Sequence, residues 1–153
     1  MGWTQCDGIG TPGGSTANFM AVLLARHQCF PQIKQKGMRC IDQDLKILSS
    51  NQCHYSMSKA CIIAGLGSDA IVKVKCDEEG RMIPEELEKA YQQCLADGHK
   101  VIMVNATVGT TVYGAIDPIG PIGDFCEKYK IWFHIDGALA GPAIFTPSMQ
   151  DQM

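Results

Sequence analysis

The apolar run Ile131-Trp132-Phe133 leads straight into His134-Ile135-Asp136-Gly137-Ala138-Leu139-Ala140-Gly141. A short apolar run that delivers a carboxylate at its carboxyl end reads as a parallel strand of an α/β sheet, and ligands bind in the crevice at that end. The upstream pattern agrees. Gly and Pro crowd residues 8–14, and a helix is predicted over about 15–30, with Met20, Leu23, Leu24 and His27 on one face at i, i+3, i+4, i+7 and Pro31 as its stop. Residues 32–44 read as a polar connection, 45–49 as a strand, 55–65 as a helix, 71–75 as a strand and 77–80 as a turn. Pro84 opens the next helix, followed by Glu85 and Glu86 where the helix dipole favours them; that helix ends near Asp97-Gly98. Val101-Ile102-Met103-Val104 is a short apolar strand, 118–129 a helix and 131–135 the last clear strand. Strands alternating with helices imply an α/β fold, a mainly parallel sheet with helices on both faces.

Composition narrows the function classes. In 153 residues, 46% are hydrophobic and 19% charged, enough to bury a core and unlike a disordered chain. The net charge is −3 with no basic run, which argues against nucleic acid and anionic membranes as partners. No apolar stretch reaches the ~18 residues of a membrane span. The first residues lack the basic and apolar regions of a signal peptide. The eight cysteines are irregularly spaced, form no C-x-x-C pair and offer no clustered metal ligands. They read as free thiols packed in a reducing compartment, so a cytoplasmic location is expected and no metal site.

Four segments offer chemistry. Gly8-x-Gly10-x-x-Gly13 matches the dinucleotide fingerprint as a string, but Trp3-Thr4-Gln5-Cys6-Asp7 is a poor strand before it and the P-loop lysine is missing. The glycine turn into a helix serves either as a simple N-cap or as a phosphate site, since free N–H groups at a helix start bind phosphate and Ser15 and Thr16 add hydroxyls. His54-Tyr55-Ser56 follows the strand at 45–49; its His is either a capping group or a ring facing the ligand crevice. Asn105-Ala106-Thr107-Val108-Gly109-Thr110-Thr111 places small and hydroxylated residues at a strand end, leaving room for a flat ligand. Asp136 either caps a turn or holds a heterocyclic ring nitrogen protonated, and His134 shares its face of the strand.

Taken together, Pro12-Gly13-Gly14-Ser15-Thr16-Ala17-Asn18, His54-Tyr55-Ser56, Asn105–Thr111 and the H-x-D of His134 and Asp136 resemble the pyridoxal-phosphate-dependent group II amino-acid decarboxylases, closest to the glutamate and cysteine sulfinate decarboxylases. The likeness runs from Gly2-Trp3 to about Gly141 and includes Lys36-Gly37-Met38, Glu79-Gly80-Arg81 and Gly114-Ala115-x-Asp117-Pro118. It implies the central part of a fold-type I large domain, with residues 1–153 a partial cofactor-binding domain truncated at both ends relative to the family. It also implies pyridoxal 5'-phosphate as cofactor, loss of the α-carboxylate from a small, acidic amino acid, and a homodimer. By the same resemblance Ser15 and Thr16 hold phosphate, His54 stacks on the ring, Thr107 contacts the cofactor, Asp136 binds the ring nitrogen and Ala138 lines the site, with His54 and Asp136 the catalytic pair.

Two departures stand out. The glutamate-type enzymes read D-A-A-W-G-G where this chain has Asp136-Gly137-Ala138-Leu139-Ala140-Gly141. The lysine that anchors the cofactor in the family follows this motif and is not within the chain. Lys100, in a His99-Lys100 dipeptide, begins the strand that ends in Thr107; seven residues at ~3.3 Å each put it roughly 23 Å away. Lys59 lies along a helix from His54 and reads as solvated. The 153 residues by themselves are therefore expected to lack decarboxylase activity and to be poorly soluble or to need a partner. A non-catalytic truncated product or pseudoenzyme, another fold-type I enzyme such as an aminotransferase, and a nucleotide-binding module, which the missing strand before Gly8 argues against, are the competing readings. The His54-Tyr55-Ser56 and Asn105–Thr111 strings argue against the aminotransferase.

Overall fold

The computed structural model describes residues 5–148. Four strands form one parallel sheet: β1 (Leu45–Ser50), β2 (Ile71–Val74), β3 (Lys100–Thr107) and β4 (Trp132–Asp136), in the order β2-β1-β3-β4. Helices α1 (Gly14–Cys29), α3 (Ser56–Ile63), α4 (Pro84–Ala96) and α5 (Ile119–Tyr129) stand between or before the strands, as the alternation predicts. The polar connection over 32–44 contains a single helical turn, α2 (Ile33–Lys36), and a 3-10 turn, Met38–Cys40. β3 is longer than its apolar run, because Asn105 and Thr107 pair with β4 although they are polar. Gly2 and Trp3 of the family-like segment, and the tail from Met149, lie outside the described residues.

The order of the strands decides where a ligand can sit. From β1 the chain moves outward to β2 through α3; from β3 it moves outward in the other direction to β4 through α5. Crossovers between parallel strands are right-handed, so a reversal of direction must place the two helices on opposite faces. That is observed: Met57, Ala60 and Cys61 of α3 join a core with α1, whereas Leu87 and Cys94 of α4 and Ile122, Phe125 and Cys126 of α5 join a second core on the other face. The crevice of such a sheet opens where the direction reverses, beyond the carboxyl ends of β1 and β3.

The stripe expected to bury α1 differs from the one found. Met20 is half-buried and Leu23 packs against the core, but Leu24 is 47% exposed and His27 is also exposed, whereas Asn18, Ala21, Val22 and Ala25 are buried. Both stripes have helical spacing. The smaller residues win because they let the helix approach the sheet and α3 closely, and large apolar residues only outweigh them when hydropathy is counted without geometry.

Candidate active site

Three strands bring their carboxyl ends to one cavity of about 310 Å³, lined by Ser15, His54, Thr107, Asp136 and Ala138 among others. On the α1/α3 face each of these strands passes from apolar to polar toward that end. β1 presents Ile47 and then Ser49; β3 presents Met103, then Asn105 and Thr107; β4 presents Trp132, then His134 and Asp136. Ser49, Asn105 and His134 occupy the same level of the ladder, and Thr107 pairs with Asp136 one level further along. Asn105 Nδ2 donates to Ser49 Oγ at 2.8 Å.

Asp136 is buried at 7% exposure. Its Oδ2 accepts from Asn18 Nδ2 at 2.9 Å and its Oδ1 from the Ala138 N–H at 3.1 Å. Two hydrogen bonds offset the cost of removing a carboxylate from water, and lone pairs remain on the cavity side for a further donor. His134, on the same strand face, reaches Asn18 Oδ1 through Nε2 at 2.8 Å. Burial holds the His134 imidazole below the usual histidine pKa, against a weaker opposing pull from Asp136.

The loops around this carboxylate are fixed by backbone bonds. The Val108 N–H donates to the Asp136 carbonyl at 2.9 Å, and the Ala140 N–H donates to the Val108 carbonyl at 3.2 Å. Gly109 sits between them with φ 89°, and a Cβ there would lie 2.8 Å from the Ala140 Cβ. Only glycine satisfies both the left-handed backbone and this approach. Asp117, buried behind β3, accepts from the Thr107 N–H and from the Met82 N–H, each at 2.7 Å. These bonds hold the Thr107 end of the strand. Burial raises the Asp117 pKa above the usual carboxylate range, with the two backbone N–H bonds pulling the other way.

The start of α1 closes another wall. A Cβ on Gly14 would lie 3.1 Å from that of Ala138, so the helix start and the β4 loop are in contact there. Thr16 and Ala17 turn their N–H groups back to the Gly13 carbonyl. Ser15 lines the cavity; Thr16, one residue on, is half-buried and is not among the lining residues. His54 stands on the wall after β1, its Nδ1 2.8 Å from Ser56 Oγ, with Tyr55 tilted against it at a centroid separation of 4.2 Å.

The sequence alone assigns no role to Asn18 or Ser56, although both stand inside the family-like motifs. A buried Asn whose partners lie 38 and 118 residues away carries no signal in its own neighbourhood. Gly14, Gly109, Thr111 and Leu139 also line the cavity. Among the described residues no lysine does: Lys59 is exposed, its Nζ 4.5 Å from the Tyr55 ring centroid, and Lys100 is at the opposite end of β3 from Thr107.

The cavity's polar groups suit a flat, anionic heterocycle. Thr107 Oγ1 is buried without a hydrogen-bond partner and belongs to a residue on the cavity wall. An orphaned buried hydroxyl costs about 1–3 kcal/mol, which a ligand acceptor or donor at that point would recover. Asp136 suits a protonated ring nitrogen, and the start of α1 with Ser15 suits a phosphate.

The pyridoxal-dependent decarboxylase conserved domain matches residues 1–153. The chain is 44% identical over 153 residues to the acidic amino acid decarboxylase GADL1 of Xenopus tropicalis, covering 100% of this chain and 30% of that protein. It is 44% identical over 146 residues to the cysteine sulfinic acid decarboxylase of Mus musculus, covering 95% of this chain and 29% of that one. The crystal structure of mouse CSAD in apo form superposes with a TM-score of 0.96 at 42% identity, over 99% of this chain and 32% of that structure. This chain thus spans less than a third of the length of these relatives, and its parallel sheet is part of the same α/β fold. With a domain match along its whole length, the chain belongs to the pyridoxal-dependent decarboxylase family.

Proposed function

We propose that this chain is the part of a pyridoxal-phosphate-dependent amino-acid decarboxylase that holds the cofactor ring and phosphate, within a larger cytoplasmic, homodimeric enzyme acting on a small acidic amino acid. The observation that carries the reading is the pairing of Asp136 with Thr107 at the ends of adjacent strands: a buried carboxylate beside a buried, partnerless hydroxyl on one cavity wall. The acidic substrate class rests on relatives named for acidic amino acids and cysteine sulfinic acid. The family match over the whole chain favours pyridoxal phosphate over other flat heterocycles. Eight free thiols, three of them buried, favour a reducing compartment. Among the described residues no helix is long and apolar enough to cross a membrane. Exposed Val112 and Leu139, next to and on the cavity wall, favour burial by another subunit or another part of the protein.

When bound, pyridoxal phosphate supplies an electron sink for the pair left behind as CO2 departs. The residues of this chain do the rest by position and charge. Ser15 and the N-terminus of α1 bind the phosphate, with Thr16 behind them. Asp136 holds a proton on the ring nitrogen through a charge-assisted bond, worth about 1.5–3 kcal/mol. His54 covers one ring face, excludes water from it and offers a ring nitrogen as proton donor. Thr107 satisfies its hydroxyl on the ring edge, and Ala138 limits the space beside it. Among the described residues no lysine lines the cavity, so on this reading the anchoring lysine is none of those described.

The test is made on the whole protein that contains this chain. Titration with pyridoxal phosphate, followed by absorbance, is expected to saturate at one site per subunit. Labelled CO2 is then expected from cysteine sulfinate, aspartate or glutamate. Saturable binding with CO2 release from none of these, or only from aromatic amino acids, would sink the substrate reading; no binding would sink the cofactor reading.

A further inference from the structure

Asn18 joins three elements that the ligand cavity depends on. It is 2% exposed on α1 and each polar group of its amide is used. Nδ2 donates one hydrogen to Ser56 Oγ at 2.8 Å and the other to Asp136 Oδ2 at 2.9 Å, while Oδ1 lies 2.8 Å from His134 Nε2. The direction of every bond follows from chemistry. A carboxylate only accepts, so the amide nitrogen must face Asp136 and the amide oxygen must face His134. His134 Nε2 therefore carries the hydrogen. Burial disfavours the imidazolium form of His134, which leaves the neutral ring with a bare Nδ1. On the other arm, the Ser56 N–H donates to His54 Nδ1 at 3.2 Å, so that nitrogen accepts and the His54 hydrogen belongs on Nε2. Ser56 Oγ then accepts from Asn18 and lies 2.8 Å from His54 Nδ1, whose one lone pair its hydroxyl shares with the Ser56 N–H.

We propose that Asn18 is the positioning residue of this site, its one amide aiming the Asp136 carboxylate and holding His134 as the Nε2–H tautomer. Nothing about this needs a direct contact between Asn18 and a ligand. Rotating the Asn18 amide by half a turn would set oxygen against carboxylate and nitrogen against an N–H, two repulsive contacts in a buried place, so the network has one stable setting. The consequence for cofactor binding rests on the reading of Asp136 as the partner of the ring nitrogen; the tautomer of His134 does not.

The experiment compares wild type, Asn18→Ala and Asn18→Asp in the whole protein, first without added cofactor. Thermal unfolding checks that each variant folds. Imidazole nitrogen NMR, assigned with a His134→Gln control, reads the tautomer. Wild type is expected to show His134 as a single neutral Nε2–H form. Asn18→Ala is expected to mix the two neutral tautomers. The isosteric Asn18→Asp variant keeps the shape but brings two carboxylates together beside His134, so the His134 titration is expected to move up in pH. Pyridoxal phosphate affinity, measured next by absorbance, is expected to fall roughly 10-fold or more in Asn18→Ala, the loss of one bond to a charged group. An unchanged His134 tautomer in Asn18→Ala, or an unmoved His134 titration in a folded Asn18→Asp, overturns the proposal. If wild type binds no pyridoxal phosphate but the His134 changes appear as stated, the positioning role of Asn18 is upheld and the cofactor reading is what fails.

Discussion

The two faces of the sheet are made by the same four strands and do opposite work. Toward α4 and α5, Leu48, Val104, Ala106 and Phe133 meet Leu87, Ile122 and Phe125 in an apolar layer. Toward α1 and α3 the inner half of the sheet is equally apolar, with Ile47, Met103 and Trp132, but its carboxyl half becomes Ser49, Asn105, Thr107, His134 and Asp136. Because side chains alternate across a strand, a residue can be given to chemistry without taking its neighbours out of the core. Apolar packing and buried polar groups are thus separated by face and by height along the strands. The polar half remains affordable because nearly every group in it is bonded to another; the Thr107 hydroxyl and Asn105 Oδ1 are the exceptions there.

That separation can be broken by experiment. The largest effect is expected at the polar end. Asp136→Asn in the whole enzyme keeps the shape and removes the charge, so kcat should fall on the order of 10³-fold while cofactor remains partly bound. Steady-state rates at saturating cofactor measure it, and full activity would show that the carboxylate has no electronic role. On the apolar face, Ile122→Ala removes a fully buried side chain and should cost about 2–5 kcal/mol of stability by denaturant unfolding. Its cofactor affinity per folded molecule should be unchanged; a weakened affinity would mean the two faces are coupled.

Ser15→Ala tests the end of the cavity proposed to take the phosphate. It should weaken cofactor binding by about 1.5–3 kcal/mol, with activity restored by excess pyridoxal phosphate. Thr16→Ala, lacking a place on the cavity wall, should do less. Rescue of the Asp136 variant but not the Ser15 variant would reverse the assignment of the two ends.

The smallest expected effects are in pH. The folded-state pKa of Asp117 is raised by burial, so its contribution to stability is full below the unfolded carboxylate value and is lost as pH rises through the raised one. Unfolding free energies of wild type and Asp117→Asn should therefore diverge in that direction, the variant lacking the loss. For His134 the pKa is lowered by burial, so stability is present above the unfolded histidine value of 6.5 and falls as pH drops through the folded one. His134→Gln should flatten that acid limb, and an identical limb in both proteins would remove His134 from the account.

Much of this was legible in one dimension. The strand and helix alternation sets the α/β class, since a period of two and a period of 3.6 are both visible in short windows. Pro84 with Glu85 and Glu86 marks the start of α4, because the fixed φ of proline and the helix dipole act locally. The grouping of His134 with Asp136 on one face also follows from strand geometry alone, and both now share Asn18. The chemistry of Asp136, Thr107 and the α1 start could be assigned to one cavity only through resemblance, because the chain separates them by up to 121 positions between Ser15 and Asp136.

Tertiary structure alone decided three matters. It chose the stripe of Ala21, Val22 and Ala25 over that of Leu24 and His27 on α1, because close packing rewards fit where hydropathy rewards size. It extended β3 through Asn105 and Thr107: Ser49 bonds the Asn105 amide, and Asp117 with the ladder to β4 holds the Thr107 backbone, while the Thr107 hydroxyl stays unbonded. It also gave Asn18 its place. A buried amide is defined by the partners around it, and those partners come from α3 and β4, which the parallel pairing of β1, β3 and β4 brings to the same end of the sheet.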